Sequence, residues 1–452
     1  MYLKSKVNQL LDYLADKLGY ERRRSDSLLR AGLYDIDDLV HISYLDIAAS
    51  KITNLSCVEA TNEIKHESSL CAPLENISDT LQRLKSDIAH GALTKGGFYT
   101  VPYFDDSGAL RIMPLNSDYV RILKREGEQL RDVLIALETF TAKNGSIYFL
   151  IRRHTLDVNG NLQITYFATQ NGGALNNIPP FLPEHWKYCV ENSEAYSGVN
   201  HIGFGYYRSP VNSRGIPTVE GVPMDFGCAD TINKLRELDE LEGVEFNDGK
   251  RILFVHPSIA KQIKDGGKLK LAVAENVFLA GTGTGISVDD YIKQFNPEIR
   301  VEKYTPRRQE LYVELENCMK LSRGIFTENA VTQGATATEV RRSNAETLSF
   351  IDNVHNMLDR GDEMTLEACG IYLDIRRELW EYASDYFDPF ADPDKQFEQI
   401  RLGVQDGAIS MSTETMWLKP SLSPEEAEAE IQKAREERGS ESDFDIDNEV
   451  EV

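Results

Sequence analysis

The feature that most constrains the fold is a repeated change of hydrophobic period along the chain. Two segments, 223–247 and 305–324, repeat apolar residues at helical spacing and carry charges between them. Residues 248–304, which separate them, contain short apolar runs bounded by glycine and asparagine, a pattern typical of strands and turns. The apolar positions of the two predicted helices are Cys228, Ile232, Leu235, Leu238 and Leu241 in the first, and Leu311, Leu315, Cys318, Met319 and Ser322 in the second.

Upstream of this unit the pattern predicts a helical segment over 1–95 and an antiparallel domain over 96–222. Two turns in the second region, Asp105–Gly108 and Asp157–Gly160, each end in glycine between strand-like runs. Glycine readily adopts the positive φ that tight hairpin turns need. The sequence therefore predicts two hairpins here and an α+β fold class.

Downstream, residues 325–335 form a short polar segment, and a long helix is predicted over 336–371. Thr336 and Glu339 at its start have capping-box spacing. The remaining 372–438 is predicted to be mainly helical, and the acidic tail 439–452 to be disordered.

The net charge of the chain disfavours tight binding to nucleic acid. It carries 49 basic and 73 acidic residues, which gives a formal charge of −24 at pH 7. Proteins that grip DNA do so with lysine and arginine that displace counterions from phosphate. A sequence-specific DNA-binding protein or a nuclease is therefore disfavoured, whereas a conduit that lets DNA slide remains compatible with this charge.

The cysteines and the apolar runs indicate an intracellular protein. The six cysteines lie apart, without the CxxC or Cys/His spacing of a zinc site. We expect them to be reduced and mostly buried. The apolar runs are of strand length, shorter than a membrane span needs, and the N-terminus lacks the apolar core of a signal peptide.

Motifs for catalysis are weak, so we expect neither enzymatic activity nor a cofactor or metal. The glycine cluster Gly281–Gly285 lacks the lysine of a phosphate-binding loop. An acidic loop, Asp385 to Asp394, lacks the ligand spacing of an EF-hand. A solvated turn is the simpler interpretation, although a metal-dependent hydrolase with an unfamiliar acidic site remains an alternative.

The order of elements, read with several local stretches, resembles the portal proteins of tailed, siphovirus-type bacteriophages and prophages. The matching stretches are Phe295–Arg300 leading into Glu302–Thr305, Gly324–Thr327 through Ala335–Val340, Gly407–Ser410 followed by Ser423–Glu426, and the strands Tyr99–Met113 and Ile147–His154. The resemblance covers roughly residues 50 to 438.

The resemblance implies a portal fold. Residues 96–222 would be the wing domain, 223–247 and 305–324 the two stem helices, and 248–304 a β-rich clip. Residues 325–335 would be the tunnel loop, 336–371 the long wing helix, and 372–438 a short crown.

The resemblance also implies a function and partners. Subunits would form a closed ring, usually of twelve, at the capsid vertex of the virion, and would be assembled in the bacterial cytoplasm. Double-stranded DNA would pass through the ring non-specifically during packaging and ejection. The other partners would be the terminase large subunit, which is the separate packaging ATPase, head–tail connector proteins, and the major capsid and scaffold proteins; no membrane is involved. A different ring-forming head–tail connector is the main alternative.

Two sets of candidate site residues follow from this resemblance. Polar residues of the tunnel loop would line the channel, although an exposed helix connection would have the same composition; they are Thr327, Glu328, Asn329, Thr332, Gln333 and Gly334. Basic residues of the second stem helix would approach either DNA phosphates or acids of the neighbouring subunit; they are Arg307, Arg308, Lys320 and Arg323.

Overall fold

The computed structural model describes residues 43–66, 68–105, 107–170, 173–175, 178–211, 220–248, 252–255, 277–279, 292–295, 301–327, 342–387, 400–407, 410–418 and 426–433. These include α1 (Tyr44–Cys57), α2 (Ala72–Lys95), α3 (Glu184–Glu191), α4 (Ala229–Asp248), α5 (Val301–Met319), α6 (Ala345–Leu373) and α7 (Met411–Leu418). The mixture of helices and strands confirms the predicted α+β class.

Within the described residues the strands form four sheets. In chain order they are β1 (Thr61–His66), β2 (Gly97–Phe104), β3 (Leu110–Asn116), β4 (Val120–Glu126), β5 (Gln129–Thr141), β6 (Ile147–Leu156), β7 (Leu162–Gln170), β8 (Gly173–Ala174), β9 (Glu194–Tyr196), β10 (Gly205–Arg208), β11 (Ile252–Val255), β12 (Val277–Leu279), β13 (Ile292–Phe295) and β14 (Trp380–Asp385). The largest sheet has the order β4-β5-β6-β7-β8, with β9 also on β7. The others are β10-β2-β3, β12-β11-β13 and β1-β14.

The two predicted hairpins are confirmed. Strands β2 and β3 pair across the turn that ends in Gly108, and β6 and β7 across the turn that ends in Gly160. Both glycines have positive φ, +78° and +80°. Asp105 and Asp157 start these turns, and their carboxylates accept backbone N–H groups two and four residues on.

One large core unites helices that are distant in sequence. Buried apolar side chains of α1, α2, α4, α5 and α6 form a single cluster. The strand β10 approaches α6 at Gly361, where an added Cβ would lie 2.1 Å from the ring of Tyr207. Only glycine allows this close packing, which explains why α6 tolerates a glycine in its interior.

The segment 1–95, which the sequence predicts to be mostly helical, also contains a strand. Residues Thr61–His66 form β1, which pairs antiparallel with β14 from Thr61↔Asp385 to His66↔Trp380. A pairing over more than 300 positions leaves no local signal, and the six-residue strand lies between two strong helical patterns. Residues 1–42 lie outside the described residues, and so does the tail predicted over 439–452.

The segment 372–438, which the sequence predicts as one crown region, is split between two compact units. Residues 344–387, including β14, belong to the same compact unit as the described part of 43–330, whereas 388–452 belongs with 331–343 to a second unit. In the described part of the second unit, α7 and residues 400–405 and 426–433 are helical. No helix of the described ranges is long and apolar enough to cross a membrane.

Two buried histidines should make the stability of the fold depend on pH. His154 lies in β6 and His201 in the loop before β10; their Nδ1 atoms lie 2.7 Å from the carbonyl oxygen of Ile202 and 3.0 Å from the amide of Gly203. Burial lowers the pKa of His201 from 6.5 to about 4. Burial, reinforced by Arg152, holds the pKa of His154 well below 6.5.

We therefore expect the free energy of unfolding to fall as the pH drops from 6.5 towards 4. In this range the histidines bind protons in the unfolded chain but stay neutral in the folded one. Above pH 6.5 this contribution is fully present. His201→Asn keeps an acceptor for the Gly203 amide but cannot titrate, so it should lessen the slope by about 1.4 kcal/mol per pH unit. Urea unfolding between pH 7.5 and 4.5 measures the difference, and identical slopes in the two proteins would refute the assignment.

Candidate functional site: the paired helices and the polar loop

Helices α4 and α5 pack against each other in antiparallel orientation. Cys228, just before α4, lies 2.8 Å from Cys318 near the end of α5, measured between the sulfur atoms. Further along α4, Thr231 donates to Glu314 at 3.3 Å. The partner numbers fall as the α4 numbers rise, which is the mark of an antiparallel pair.

An internal ion pair joins the other ends of the two helices. The guanidinium of Arg308 donates to Asp239 at 2.8 Å and also contacts the carboxylate of Glu242. The Arg308 side chain is 23% exposed, so the pair is partly shielded from solvent. The same Asp239 accepts from Tyr44 of α1 at 3.2 Å, which ties the helix pair to the N-terminal part of the core.

Both helices begin elsewhere than the sequence predicts. The first begins at Ala229 rather than 223, because Gly227 has a φ of +83° and the preceding residues form turns. The second begins at Val301 rather than 305, so it takes in the last residues of the segment 248–304, where the sequence predicts strands and turns. Pro306 lies inside this helix, near its start, and has no N–H to donate to the carbonyl of residue 302.

A three-stranded module lies between the two helices in sequence. Strand β11 pairs parallel with β12 and antiparallel with β13. These three strands agree with the pattern of strands and turns that the sequence predicts over 248–304. The glycine cluster Gly281–Gly285 lies outside the described residues.

The second helix ends at Met319 rather than at 324. Lys320 adopts the left-handed conformation with a φ of +59°. The amide of Leu321 donates to the carbonyl of Glu316, and that of Lys320 to Asn317. These two bonds form a Schellman motif, in which lysine occupies the position that glycine usually takes. Because the sequence lacks that glycine, the helix end was predicted too late.

The carboxylate of Glu316 holds the turn that follows. Its Oε1 accepts backbone N–H groups from the four successive residues of the turn, and the hydroxyl of Thr327 donates to its Oε2 at 2.9 Å. The backbone donors are Gly324 at 3.2 Å, Ile325 at 2.9 Å, Phe326 at 2.7 Å and Thr327 at 3.1 Å. Glu316 is 0% exposed, so these bonds replace the water that a carboxylate otherwise requires.

The turn is also packed against the core. Phe326 contacts the rings of Tyr44 and Tyr312, with centroids 6.0 Å apart in both cases. The ammonium of Lys51 in α1 contacts the carbonyl oxygen of Ile325. The turn 324–327 is therefore held by its backbone hydrogen bonds to Glu316, by the aromatic contacts of Phe326 and by the contact with α1.

A reciprocal pair of hydrogen bonds joins the two sides of the polar loop. The amide of Ser322 donates to the hydroxyl of Thr347 at 2.9 Å, and the amide of Thr347 donates to the hydroxyl of Ser322 at 3.1 Å. Thr347 lies in the first turn of α6. The chain therefore leaves the helix pair and enters α6 at the same place.

The predicted loop residues are only partly described. Thr327 is the last residue of the fixed turn, whereas Glu328, Asn329, Thr332, Gln333 and Gly334 lie outside the described residues. The same holds for residues 336–341 at the predicted start of the long helix. The helix itself, α6, runs through Gly361 and ends at Leu373, where Asp374 has a φ of +54°.

The candidate basic residues differ in their surroundings. Arg307 pairs with Glu310 one turn on, at 2.9 Å, on the exposed side of α5. Arg308 is held by acids of its own chain, as described above. Lys320 and Arg323 are exposed at the end of the helix. Their approach to DNA or to a second subunit stays a prediction.

A metal site has no support in the described part of the chain. None of its His, Cys, Asp or Glu side chains form a group of three or more that could hold an ion. In the acidic loop, Asp385 is the last residue of β14, and Asp388, Asp392 and Asp394 lie outside the described residues.

Comparison with known proteins finds similarity in solved structures alone. No protein-family model matches the chain, and no curated protein does. The chain is similar to one in a structure entitled "Neck of native GTA particle computed with C12 symmetry", with 11% identity and a TM-score of 0.43, over 89% of this chain and 99% of that one. A likeness at this level establishes neither a family nor a function.

Sequence analysis did not single out Glu316. A charged residue beside the apolar stripe of an amphipathic helix is ordinarily solvent-facing, and its partners are backbone amides that no sequence pattern marks. The signal that could have indicated its burial was its position, next to Leu315 and within one turn of Met319, because both of these residues are buried.

We expect Glu316→Gln to weaken the hydrogen bonds that hold the turn. The glutamine side chain is an uncharged acceptor, and its NH2 group would face the N–H and O–H donors that now bind the carboxylate. The free energy of unfolding should fall by at least about 2 kcal/mol. Hydrogen exchange should accelerate at the amides of residues 324–327. Glu310→Gln, an exposed change on the same helix, is the matched control, and unchanged exchange in the Glu316 variant would contradict the assignment.

Proposed function

We propose that this chain is a phage portal protein, a subunit of a ring-shaped channel for genome packaging, retention and ejection. The observation that supports the proposal most is the antiparallel pair α4–α5 with a three-stranded module between its helices. Together with the loop at the base of α6, this is the stem, clip and tunnel-loop order that the sequence resemblance implies. The neck structure named above, with its C12 symmetry, is in keeping with such a ring but adds no argument to it.

In this proposal the loop after Thr327 lines the narrow part of the channel. Its predicted members, through Gly334, are polar and carry a single charge, at Glu328. Short polar side chains touch a phosphate backbone without the counterion release that gives basic residues their affinity. The turn held by Glu316 would fix the base of the loop while DNA moves past it.

The proposal places the ring in the virion, at the capsid vertex, after assembly in the host cytoplasm. Its partners would be the terminase large subunit and later the head–tail connector at the β module, with capsid and scaffold proteins around the 96–222 domain. Exposed Arg307, Lys320 and Arg323 would meet DNA or acids of the next subunit. The contacts between subunits would be heterologous, one face of each meeting another face of the next.

Purified full-length protein should form rings with a central channel wide enough for a DNA duplex. Electron microscopy with classification of end-on views measures the symmetry, which we expect to be twelvefold. Monomers or dimers alone, at high concentration and with scaffold protein present, would overturn the proposal.

A specific variant tests which surface closes the ring. Leu241 and Val244 lie one turn apart on α4 and are 58% and 57% exposed, an apolar patch that a neighbouring subunit would cover. Leu241→Asp should therefore abolish rings while leaving thermal unfolding of the subunit unchanged. Glu240→Gln is the matched control at an exposed neighbour, and intact Leu241→Asp rings would exclude this face.

We also expect the ring to hydrolyse no ATP, since packaging work would come from the terminase. Phosphate release should stay at background with and without duplex DNA. Turnover that follows the protein peak through gel filtration would refute this part of the proposal and favour an enzyme.

A further inference from the structure

A buried polar cluster, separate from the helix pair, joins four elements of the core. Lys85 of α2 and Asp362 of α6 are 2% and 1% exposed. Asn62 of β1 and Tyr382 of β14 complete the cluster, in which both Asn62 and Asp362 contact each of the other three side chains through polar atoms. Tyr207 adds a hydrogen bond to Asp362 at 2.7 Å.

The geometry differs from that of a simple buried ion pair. The Nζ atom of Lys85 contacts the side-chain carbonyl oxygen of Asn62, whereas it lies 3.6 Å from the nearer oxygen of Asp362. That same Asp362 oxygen accepts from the Nδ2 atom of Asn62 at 3.3 Å. The amine, the amide and the carboxylate therefore form a triangle.

The geometry points to a covalent modification: we propose that Lys85 and Asn62 condense into an isopeptide bond, with Asp362 as the proton-transfer group. The amine would be the nucleophile, and the carboxamide carbon the electrophile. This inference is independent of the proposed channel function, because the cluster contains none of the residues on which that function depends.

The reaction begins with a proton transfer. The Lys85 ammonium gives one proton to Asp362, which leaves a neutral amine and a neutral acid. Burial favours this exchange, since it removes two charges from a region that solvent does not reach. In agreement, burial raises the pKa of Asp362, in opposition to the nearby Lys85.

Bond formation and bond cleavage then follow. The Nζ lone pair attacks the Cγ atom of Asn62, and the C=O electron pair moves onto Oδ1. The Tyr382 hydroxyl, 3.1 Å from Oδ1, donates to the developing oxyanion. Asp362 gives its proton to Nδ2 and takes one from Nζ. The carbonyl re-forms as the C–Nδ2 bond breaks, and ammonia leaves with that electron pair.

The products balance the reactants. An ammonium, a carboxylate and a primary amide become a secondary amide, a carboxylic acid and free ammonia, with five exchangeable protons and zero net charge on each side. No oxidant, metal or cofactor is required. The new bond would link β1 to α2 directly, and so brace the β1–β14 ladder against the helical core.

Mass spectrometry of the full-length protein, reduced and denatured, is the test. We expect a mass lower than that of the sequence by one ammonia molecule. Because a succinimide at asparagine has the same mass, tryptic mapping must then show a branched peptide. It should join residues 52–65, which contain Asn62, to residues 84–95, in which cleavage after Lys85 is blocked.

Three variants define the chemistry. Lys85→Arg and Asn62→Ala each remove a reacting group, and Asp362→Asn removes the proton acceptor while keeping the shape; all three should retain the full mass. Asn54→Ala, an exposed change within the same tryptic peptide, should retain the branched peptide. A full-mass wild-type protein overturns the proposal whether or not the variants fold, and so does cross-linking that persists in Asp362→Asn.

Discussion

Glu316 determines two features of the chain at once, one through its backbone carbonyl and one through its carboxylate. The backbone carbonyl of this residue accepts the amide of Leu321 and so closes the end of α5. Its side chain accepts the four amides from Gly324 to Thr327 and so shapes the next turn. A buried carboxylate is costly unless it is fully hydrogen-bonded, and backbone N–H groups are costly when unpaired. Each therefore satisfies the other, and the turn has little freedom to depart from the helix end.

The fixed turn gives the polar loop a defined base. The Ser322–Thr347 pair lies where the chain enters α6, so the described residues that flank the loop on its two sides meet at the same buried side chains. Under the proposed function, a force on the loop from moving DNA would pass into α5 and α6 rather than into a flexible connection. The aromatic contacts of Phe326 with Tyr44 and Tyr312 add α1 to this base. The base thus unites elements from the start, the middle and the end of the compact unit.

Local chemistry explains which parts of the fold could be predicted. The hairpin turns at Gly108 and Gly160 and the apolar sides of α4 and α5 depend on neighbouring residues, so sequence patterns identified them. Strand β1 pairs with β14 more than 300 residues away, and Lys320 ends a helix in a conformation usually reserved for glycine. The sites depend still more on distant contacts: the donors to Glu316 are backbone amides, and Lys85, Asn62 and Asp362 meet only when α2, β1 and α6 pack together. The assignment of the loop residues after Thr327 follows from the resemblance alone.

Electrostatics links the helix pair to the charge of the whole chain. Acidic residues outnumber basic ones on both α4 and α5, and Arg308 is already engaged by Asp239 and Glu242. Such a pair offers few unengaged cations, and non-specific affinity for DNA requires cations that displace counterions. At physiological salt the remaining repulsion is screened beyond about 8 Å, so DNA near the axis of a wide ring would feel little force. A surface of this kind suits movement of DNA better than its retention. In the proposed ring, retention of DNA would then depend on the loop that lines the narrow part of the channel and on proteins docked to the β module.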